Sequence, residues 1–212
     1  MKVAVGDSEV SVLYEPATSG EAIATFVCAH GAGGNMNDRG MQAVARELRG
    51  RGLDVVRFNF VYSEKKSGRP DPMPLLQSCI KAVVGAVPAK RLIVGGRSMG
   101  GRAASMLAAD GFAANGLLLL AYPLHPAGRP EQLRDAHLPR ITMPTLCLNG
   151  TRDALCRPDL MEAVLPRLGA NFQMHWLEGA DHSFHVLKSS GRTDADVMTE
   201  IGETTAAWLR SA

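Results

Sequence analysis

One short segment constrains the fold of this chain more than any other: an apolar run that ends in a glycine-flanked serine. Residues 92–94 are Leu-Ile-Val, and Gly-Gly-Arg-Ser-Met-Gly-Gly follows, which places Ser98 in the spacing G-x-S-x-G. Good helix formers occupy residues 102–109. A strand that turns directly into a helix strains the serine backbone, so the residues two positions away must lack side chains. The pattern predicts a strand, a very tight turn that presents the Ser98 hydroxyl, and a helix.

An acid and a histidine follow Ser98, each just after a strand-like run. Residues 144–150 lead to Asp153, and residues 171–177 lead to His182. The chain order serine, acid, histidine is the order found with a nucleophile elbow. Because the carboxyl ends of parallel strands meet at one edge of an open sheet, we expect the three side chains to converge there.

The rest of the chain alternates between strand-like and helix-like segments. The largely apolar runs at residues 23–29 and 116–121 predict buried strands, and residues 53–58 predict a further strand. Apolar residues at helical spacing predict helices that include residues 41–48, 75–84, 160–168 and 197–208. This alternation predicts an α/β fold with a mostly parallel sheet covered by helices on both faces.

Three other segments carry expectations about the sheet edge and the site. The alternation at Val10, Val12 and Tyr14 predicts a half-exposed edge strand. Residues 59–74, rich in polar residues, glycine and proline, predict a surface loop that reaches the site. Residues 122–142 contain four prolines and are too short for a separate lid domain, so we expect a shallow, open site.

With these motifs in place, the chain resembles the α/β-hydrolase superfamily, and within it the small intracellular members akin to dienelactone hydrolase. The motifs that carry the resemblance are His-Gly-Ala-Gly-Gly from His30, Gly-Gly-Arg-Ser-Met-Gly-Gly-Arg around Ser98, and Gly-Ala-Asp-His-Ser-Phe around His182. They are also similar to a bacterial branch related to a testis-expressed hydrolase-fold protein and to a subunit of an animal histone-acetyltransferase complex. Dienelactone hydrolase itself has cysteine at the nucleophile position, so dienelactone is not carried over as the substrate.

The resemblance implies a role for each motif. Ser98 is the expected nucleophile, His182 its base, and Asp153 the acid that orients the imidazole. The backbone N–H groups of Ala32 and Met99 are the expected oxyanion hole. The function implied is hydrolysis of small ester or thioester bonds through an acyl-enzyme; the alternative is a catalytically quiet binding or scaffold protein of the same fold.

The sequence leaves several competing assignments open. His185 competes with His182, and the pair also allows a metal site, although no further ligand cluster stands at a suitable spacing. Asp159 and Asp181 are the other nearby acids; Asp159 is better placed to cap a helix. His30 is interpreted as a hydrogen-bonded structural histidine.

Three residues are candidate substrate-binding residues. Arg97 lies inside the elbow and could anchor a carboxylate or phosphate, or form a salt bridge to a loop acid. Met36 and Tyr122 could line an acyl or alcohol pocket, or could pack in the core.

Bulk properties narrow the remaining function classes. The 212 residues predict one α/β-hydrolase domain over residues 1–212. Lys and Arg total 23 against 21 acidic residues, and the net charge of +2 gives no reason to expect nucleic acid or an anionic membrane as partner. The four cysteines lack metal-ligand spacing and predict reduced core thiols in a cytoplasmic protein. We expect a monomer or homodimer that acts on a small molecule and requires neither a metal nor an organic cofactor.

Overall fold

The computed structural model of the protein describes residues 1–211 and contains one eight-stranded sheet. Its strands are β1 Lys2–Val5, β2 Ser8–Glu15, β3 Ala24–Ala29, β4 Leu53–Phe58, β5 Leu92–Arg97, β6 Gly116–Leu120, β7 Thr145–Gly150 and β8 Phe172–Leu177. Their spatial order is β1-β2-β4-β3-β5-β6-β7-β8. The pairs β1–β2 and β2–β4 are antiparallel, whereas every other neighbouring pair is parallel. The predicted mostly parallel sheet is confirmed.

Helices cover both faces of the sheet. They are α1 Arg39–Arg49, α2 Val61–Glu64, α3 Met73–Ala86, α4 Met99–Ala109, α5 Pro158–Val164 and α6 Asp194–Ser211. Buried residues of α3, α4 and α5 join one hydrophobic cluster, and those of α1 and α6 join a second cluster across the sheet. The inner strands β3, β6 and β7 are buried along their whole length, which explains why they are apolar or small at nearly every position.

Three segments differ from the sequence prediction. The strand predicted around Val12 is β2, but it is not the sheet edge, because β1 pairs with its outer side. Residues 59–74 are not a plain surface loop: they include α2, whose Val61 and Tyr62 are buried. The helix predicted over residues 160–168 ends at Val164 and continues as a 3-10 turn, since Pro166 has no N–H to donate.

The segment between β6 and β7 contains only one 3-10 turn, Leu138–Arg140, as helical structure. The prediction that no separate lid domain covers the site is therefore confirmed. Within residues 1–211, no helix combines the length and apolar character needed to span a bilayer. All four cysteines are free and buried, as predicted.

Candidate active site

Ser98 lies at the carboxyl end of β5, in the turn that starts α4. Its backbone has φ 51° and ψ −116°, a left-handed conformation that non-glycine residues rarely adopt. The Ser98 N–H donates to the Leu120 carbonyl at 2.8 Å, and its carbonyl accepts the Arg102 N–H at 2.9 Å. These bonds join the turn to β6 on one side and to α4 on the other, so they hold the strained residue in place.

The glycines around Ser98 allow the backbone of β3 to approach the elbow. A Cβ added to Gly96 would overlap the Ala29 backbone, and Gly96 also has φ 147°. A Cβ on Gly100 would overlap the Ala29 carbonyl and lie 2.6 Å from the His30 oxygen. The strand–turn–helix predicted from the spacing is present, and steric exclusion at these two positions is its physical basis.

The structure brings Ser98, His182 and Asp153 together. His182 Nδ1 is 2.8 Å from Asp153 Oδ2, and His182 Nε2 is 2.9 Å from Ser98 Oγ. Because the carboxylate can only accept, Nδ1 carries the proton and Nε2 accepts from the serine hydroxyl. The Asp153 side chain is fully buried, whereas 27% of the His182 side chain is exposed to solvent.

Two further groups hold the Asp153 carboxylate. Its Oδ1 accepts the Leu155 N–H at 2.8 Å, and its Oδ2 accepts the Asn149 amide at 3.1 Å. The same buried amide bonds both backbone groups of Tyr122: Oδ1 accepts the Tyr122 N–H, and Nδ2 donates to its carbonyl. Asn149 was not identified from the sequence, although a polar residue inside a fully buried strand was a usable signal.

The competing acids and histidine have other partners. Asp159 pairs with Arg157 on the surface. Asp181 accepts the backbone N–H groups of Ser183 and His185 and so shapes the loop that carries His182.

The exposed His185 bonds Asp194 at 3.0 Å, and this carboxylate raises the pKa of His185. Within residues 1–211, no group of three or more His, Cys, Asp and Glu side chains is arranged to hold a metal ion.

The glycine loop after β3 lies against the elbow. A Cβ built on Gly31 would be 3.5 Å from the Ser98 Cβ. The Gly31 carbonyl accepts from His30 Nδ1 at 2.8 Å, from the Tyr62 hydroxyl at 3.1 Å and from the Gly34 N–H at 3.2 Å.

A trans peptide is planar, with C=O and N–H on opposite sides. Fixing the Gly31 carbonyl therefore also fixes the direction of the Ala32 N–H, away from His30 and Tyr62. Ala32, Ser98 and Met99 line one cleft.

His30 has the structural role expected of it. Its Nδ1–H donates to Gly31, and its Nε2 accepts the Phe60 N–H at 3.2 Å. Burial lowers the pKa of His30 and favours the neutral ring that this arrangement requires.

The three candidate substrate-binding residues do not line the cleft beside Ser98. Tyr122 is fully buried, and its hydroxyl donates to the Arg134 carbonyl at 2.6 Å. Met36 is anchored by its backbone, which bonds the side chains of Asn59 and Arg57.

Arg97 does not line the cleft and instead contacts the loop that carries His182. Its Nη2 donates to the His182 carbonyl at 3.1 Å, and its guanidinium carbon is 5.9 Å from the centre of the Phe184 ring. None of the three side chains therefore lines the cleft: Tyr122 is buried in the core, and Arg97 bonds the loop that carries His182.

The cleft beside Ser98 has a volume of about 500 Å³ and is open to solvent. Its apolar lining includes Met73, Leu76, Met99 and Leu155. Asp71, Arg102 and Arg134 supply its charged lining, and none of the three was identified from the sequence as a site residue. For Arg102 the usable signal was its position four residues after Ser98 at the start of a helix.

Comparison with known proteins also indicates an α/β-hydrolase fold. A family model described as an alpha/beta hydrolase domain matches residues 22–210. An alpha-beta serine hydrolase homologue from Coxiella burnetii is 22% identical with a TM-score of 0.78, covering 96% of this chain and 95% of that one.

Two other solved structures have a similar fold. A serine hydrolase without a lid from Xanthomonas campestris is 22% identical with a TM-score of 0.76, covering 100% of this chain and 95% of that one. Dienelactone hydrolase from Anabaena variabilis is 19% identical with a TM-score of 0.72, also covering 100% of this chain and 95% of that one.

Proposed function

The chain belongs to the alpha/beta hydrolase domain family, and from this membership we propose that it is a serine hydrolase that cleaves small ester or thioester bonds. The observation that carries the proposal is the continuous hydrogen-bonded path from Ser98 Oγ through His182 to the buried Asp153. A scaffold protein has no need for this alignment of three side chains that are distant in sequence.

The first half of the reaction forms an acyl-enzyme. Ser98 Oγ attacks the carbonyl carbon of the substrate while its proton moves to His182 Nε2. The imidazolium that forms is stabilised by the Asp153 carboxylate, which also keeps the ring in the orientation needed for proton transfer. When the tetrahedral intermediate collapses, His182 returns the proton to the leaving alcohol or thiol.

We assign the stabilisation of the negative oxygen of that intermediate to two backbone N–H groups. Met99 N–H is at the start of α4, where the helix dipole favours negative charge. Ala32 N–H is held by the peptide whose carbonyl bonds His30 and Tyr62. Loss of one such donor typically costs ~3–4 kcal/mol of transition-state stabilisation.

The second half of the reaction releases the acid. A water molecule transfers a proton to His182 Nε2 and attacks the acyl carbon, and the proton then returns to Ser98 Oγ as the ester bond breaks. Solvent reaches this position because no lid covers the cleft. Small substrates suit such an open site better than long-chain lipids do.

Labelling with a fluorophosphonate probe tests the proposal directly. We expect the wild-type protein to be labelled and the Ser98→Ala variant to lose labelling completely, because the probe forms a covalent bond with an activated serine. Ser183→Ala is the matched control, since this exposed serine lies beside His182 and outside the proposed path. If the wild type is labelled no faster than Ser98→Ala, the protein is a binding module rather than an enzyme.

A further inference from the structure

Two arginines line the cleft beside Ser98, and neither is used by the mechanism above. Arg102 and Arg134 approach the cleft from different elements, α4 and the segment between β6 and β7. Within residues 1–211, the arginines that form ion pairs do not include Arg102 or Arg134. The cleft therefore presents two positive charges next to the candidate nucleophile.

Arg102 is fixed close to Ser98 by the helix itself. Its N–H donates to the Ser98 carbonyl at 2.9 Å, and both residues line the same cleft. In the part of the chain that the structure describes, its Nε is buried and has no hydrogen-bond partner. Buried donors are nearly always satisfied, and of the three unpaired buried side-chain donors in residues 1–211, Arg102 Nε is the one whose residue lines the cleft.

Arg134 lines the same cleft as Arg102, and hydrogen bonds hold its backbone in place. Its N–H donates to the Leu124 carbonyl at 2.7 Å, and its own carbonyl accepts the Tyr122 hydroxyl. Burial lowers the pKa of Arg134, and the nearby charge of Arg102 lowers it further. Both residues line the same cleft, where their like charges repel each other.

The surrounding carboxylates do not neutralise this pair. Asp135, next in sequence to Arg134, pairs with Arg167, and Asp110 pairs with Arg140. Asp71 lines the cleft and accepts the Tyr62 N–H through Oδ2 at 2.8 Å. One acid against two arginines leaves the cleft with a net positive charge.

We propose that Arg102 and Arg134 form an anion subsite, so that the preferred substrates are esters or thioesters with a carboxylate or phosphate group close to the scissile carbonyl. This inference rests on the proposed function. A guanidinium binds either oxyanion with a planar fork of N–H donors, and an anion between two arginines relieves their repulsion. Because Arg102 is bonded through its backbone to Ser98 and lines the same cleft, we expect substrates in which only a few bonds separate the two groups.

The test compares charged esters with neutral esters of similar shape. Monomethyl succinate against methyl levulinate places a carboxylate on the acyl side. Acetoxyethyl phosphate against ethylene glycol monoacetate places a phosphate on the alcohol side. Hydrolysis is followed by acid release for the wild type, Arg102→Gln and Arg134→Gln. Arg129→Gln is the matched control, because this exposed arginine belongs to the same segment as Arg134 but does not line the cleft.

We expect the wild type to prefer the charged ester in at least one of the two comparisons. The comparison that shows the preference tells whether the bound group is a carboxylate on the acyl side or a phosphate on the alcohol side. In either glutamine variant, the ratio of kcat/KM for charged over neutral ester should fall about 10- to 100-fold, mainly through KM, since a charge-assisted hydrogen bond is lost. Arg129→Gln should keep the wild-type ratio. A wild type that prefers the neutral ester in both arms, or a ratio unchanged in both variants, would overturn the proposal.

A binding measurement separates this proposal from the proposed function. Calorimetry with succinate and with inorganic phosphate on the Ser98→Ala protein should detect binding of at least one anion, and Arg134→Gln in that background should abolish it. Thermal melting of each variant shows that it is folded, and Arg134→Gln keeps the test available should Arg102→Gln fail to fold. Absence of fluorophosphonate labelling in the wild type rejects the enzyme, whereas absence of anion binding rejects the subsite alone.

Discussion

Arg97 contacts the loop that carries His182 rather than the substrate cleft. Its Nη2 bonds the His182 carbonyl, its cation lies over Phe184, and its burial lowers its pKa. A hydrogen bond to the backbone of the base residue limits movement of the imidazole relative to Ser98. We therefore predict that Arg97 is a positioning residue. Its contacts depend on the path of the loop after β8, which no local pattern around Arg97 contains.

Replacing Arg97 tests this role. Arg97→Leu should lower kcat for a neutral ester about 10- to 100-fold with a smaller change in KM, because a shift of about 1 Å in a reacting group has an effect of this size. Steady-state kinetics and the rate of fluorophosphonate labelling would measure it. Arg152→Leu is the control, since exposed Arg152 bonds the Gly179 carbonyl on the same loop away from Ser98. An unchanged kcat in Arg97→Leu would show that the loop holds His182 without it.

The elbow between β5 and α4 depends on close backbone contact with β3. At Gly100 the Ala29 and His30 carbonyls occupy the space that a Cβ would need. Backbone atoms of a central strand cannot move aside without disturbing pairing on both sides of β3. The elbow is thus a property of two elements packed together and not of the turn alone.

A single methyl group tests the elbow. Gly100→Ala should lower the free energy of unfolding by about 1–3 kcal/mol or more and remove labelling of Ser98, because the added atom forces the elbow away from β3. Gly85→Ala is the matched control: Gly85 is an exposed residue in the last turn of α3, and a Cβ there meets no atom within 4 Å. It should raise that free energy by up to about 1 kcal/mol. Urea denaturation measures both, and equal effects of the two substitutions would contradict the steric argument.

A helix or strand could be predicted from the sequence when the pattern of its own residues is enough to determine its type and bounds. The strand-like runs predicted β3, β4, β6, β7 and β8 to within one residue of their observed bounds. The inner strands β3, β6 and β7 are buried along their whole length and are therefore apolar or small at nearly every position, whereas the edge strand β8 is only partly buried. β1 and α2 were missed: β1 is a four-residue strand formed by pairing with β2, and α2 has a single helical turn. Such short elements depend on tertiary contacts rather than on local propensity.

At the scale of the whole molecule, His137 makes the free energy of unfolding sensitive to acid. This residue lies in the segment between β6 and β7. This histidine bonds Ser105 of α4 at 2.8 Å. Its pKa is lowered from 6.5 to about 4 by burial and by the charges of Arg102 and Arg140, against the opposing effect of Asp110 and Asp135.

Between pH 6.5 and about 4, His137 is therefore mostly neutral in the folded protein but mostly protonated in the unfolded chain. The stability contributed by the neutral ring is complete above pH 6.5 and is lost as the pH falls from 6.5 to about 4.

The matching variant is His137→Gln. It should show a smaller loss of unfolding free energy across this pH interval than the wild type, as measured by urea denaturation. His185→Gln should behave in the opposite way, because Asp194 raises the pKa of His185 and protonation there stabilises the fold. A His137→Gln curve parallel to that of the wild type would show that this histidine is not responsible.

The sequence by itself determined the features that depend on chain order and local pattern. It predicted the α/β class, the absence of a lid domain and the positions of Ser98, Asp153 and His182 after strands. Each of these follows from residues close together in the chain: apolar runs, glycines around a tight turn, and a polar residue at a strand end.

Only the tertiary structure decided which side chains face the cleft. Arg97 and Tyr122 are next to the site in sequence but point into the scaffold, whereas Arg102 and Arg134 line the cleft together. Whether a side chain near a strand end points toward the substrate or toward the core depends on the elements that pack around it. That information lies in contacts between distant segments, so no local pattern contains it.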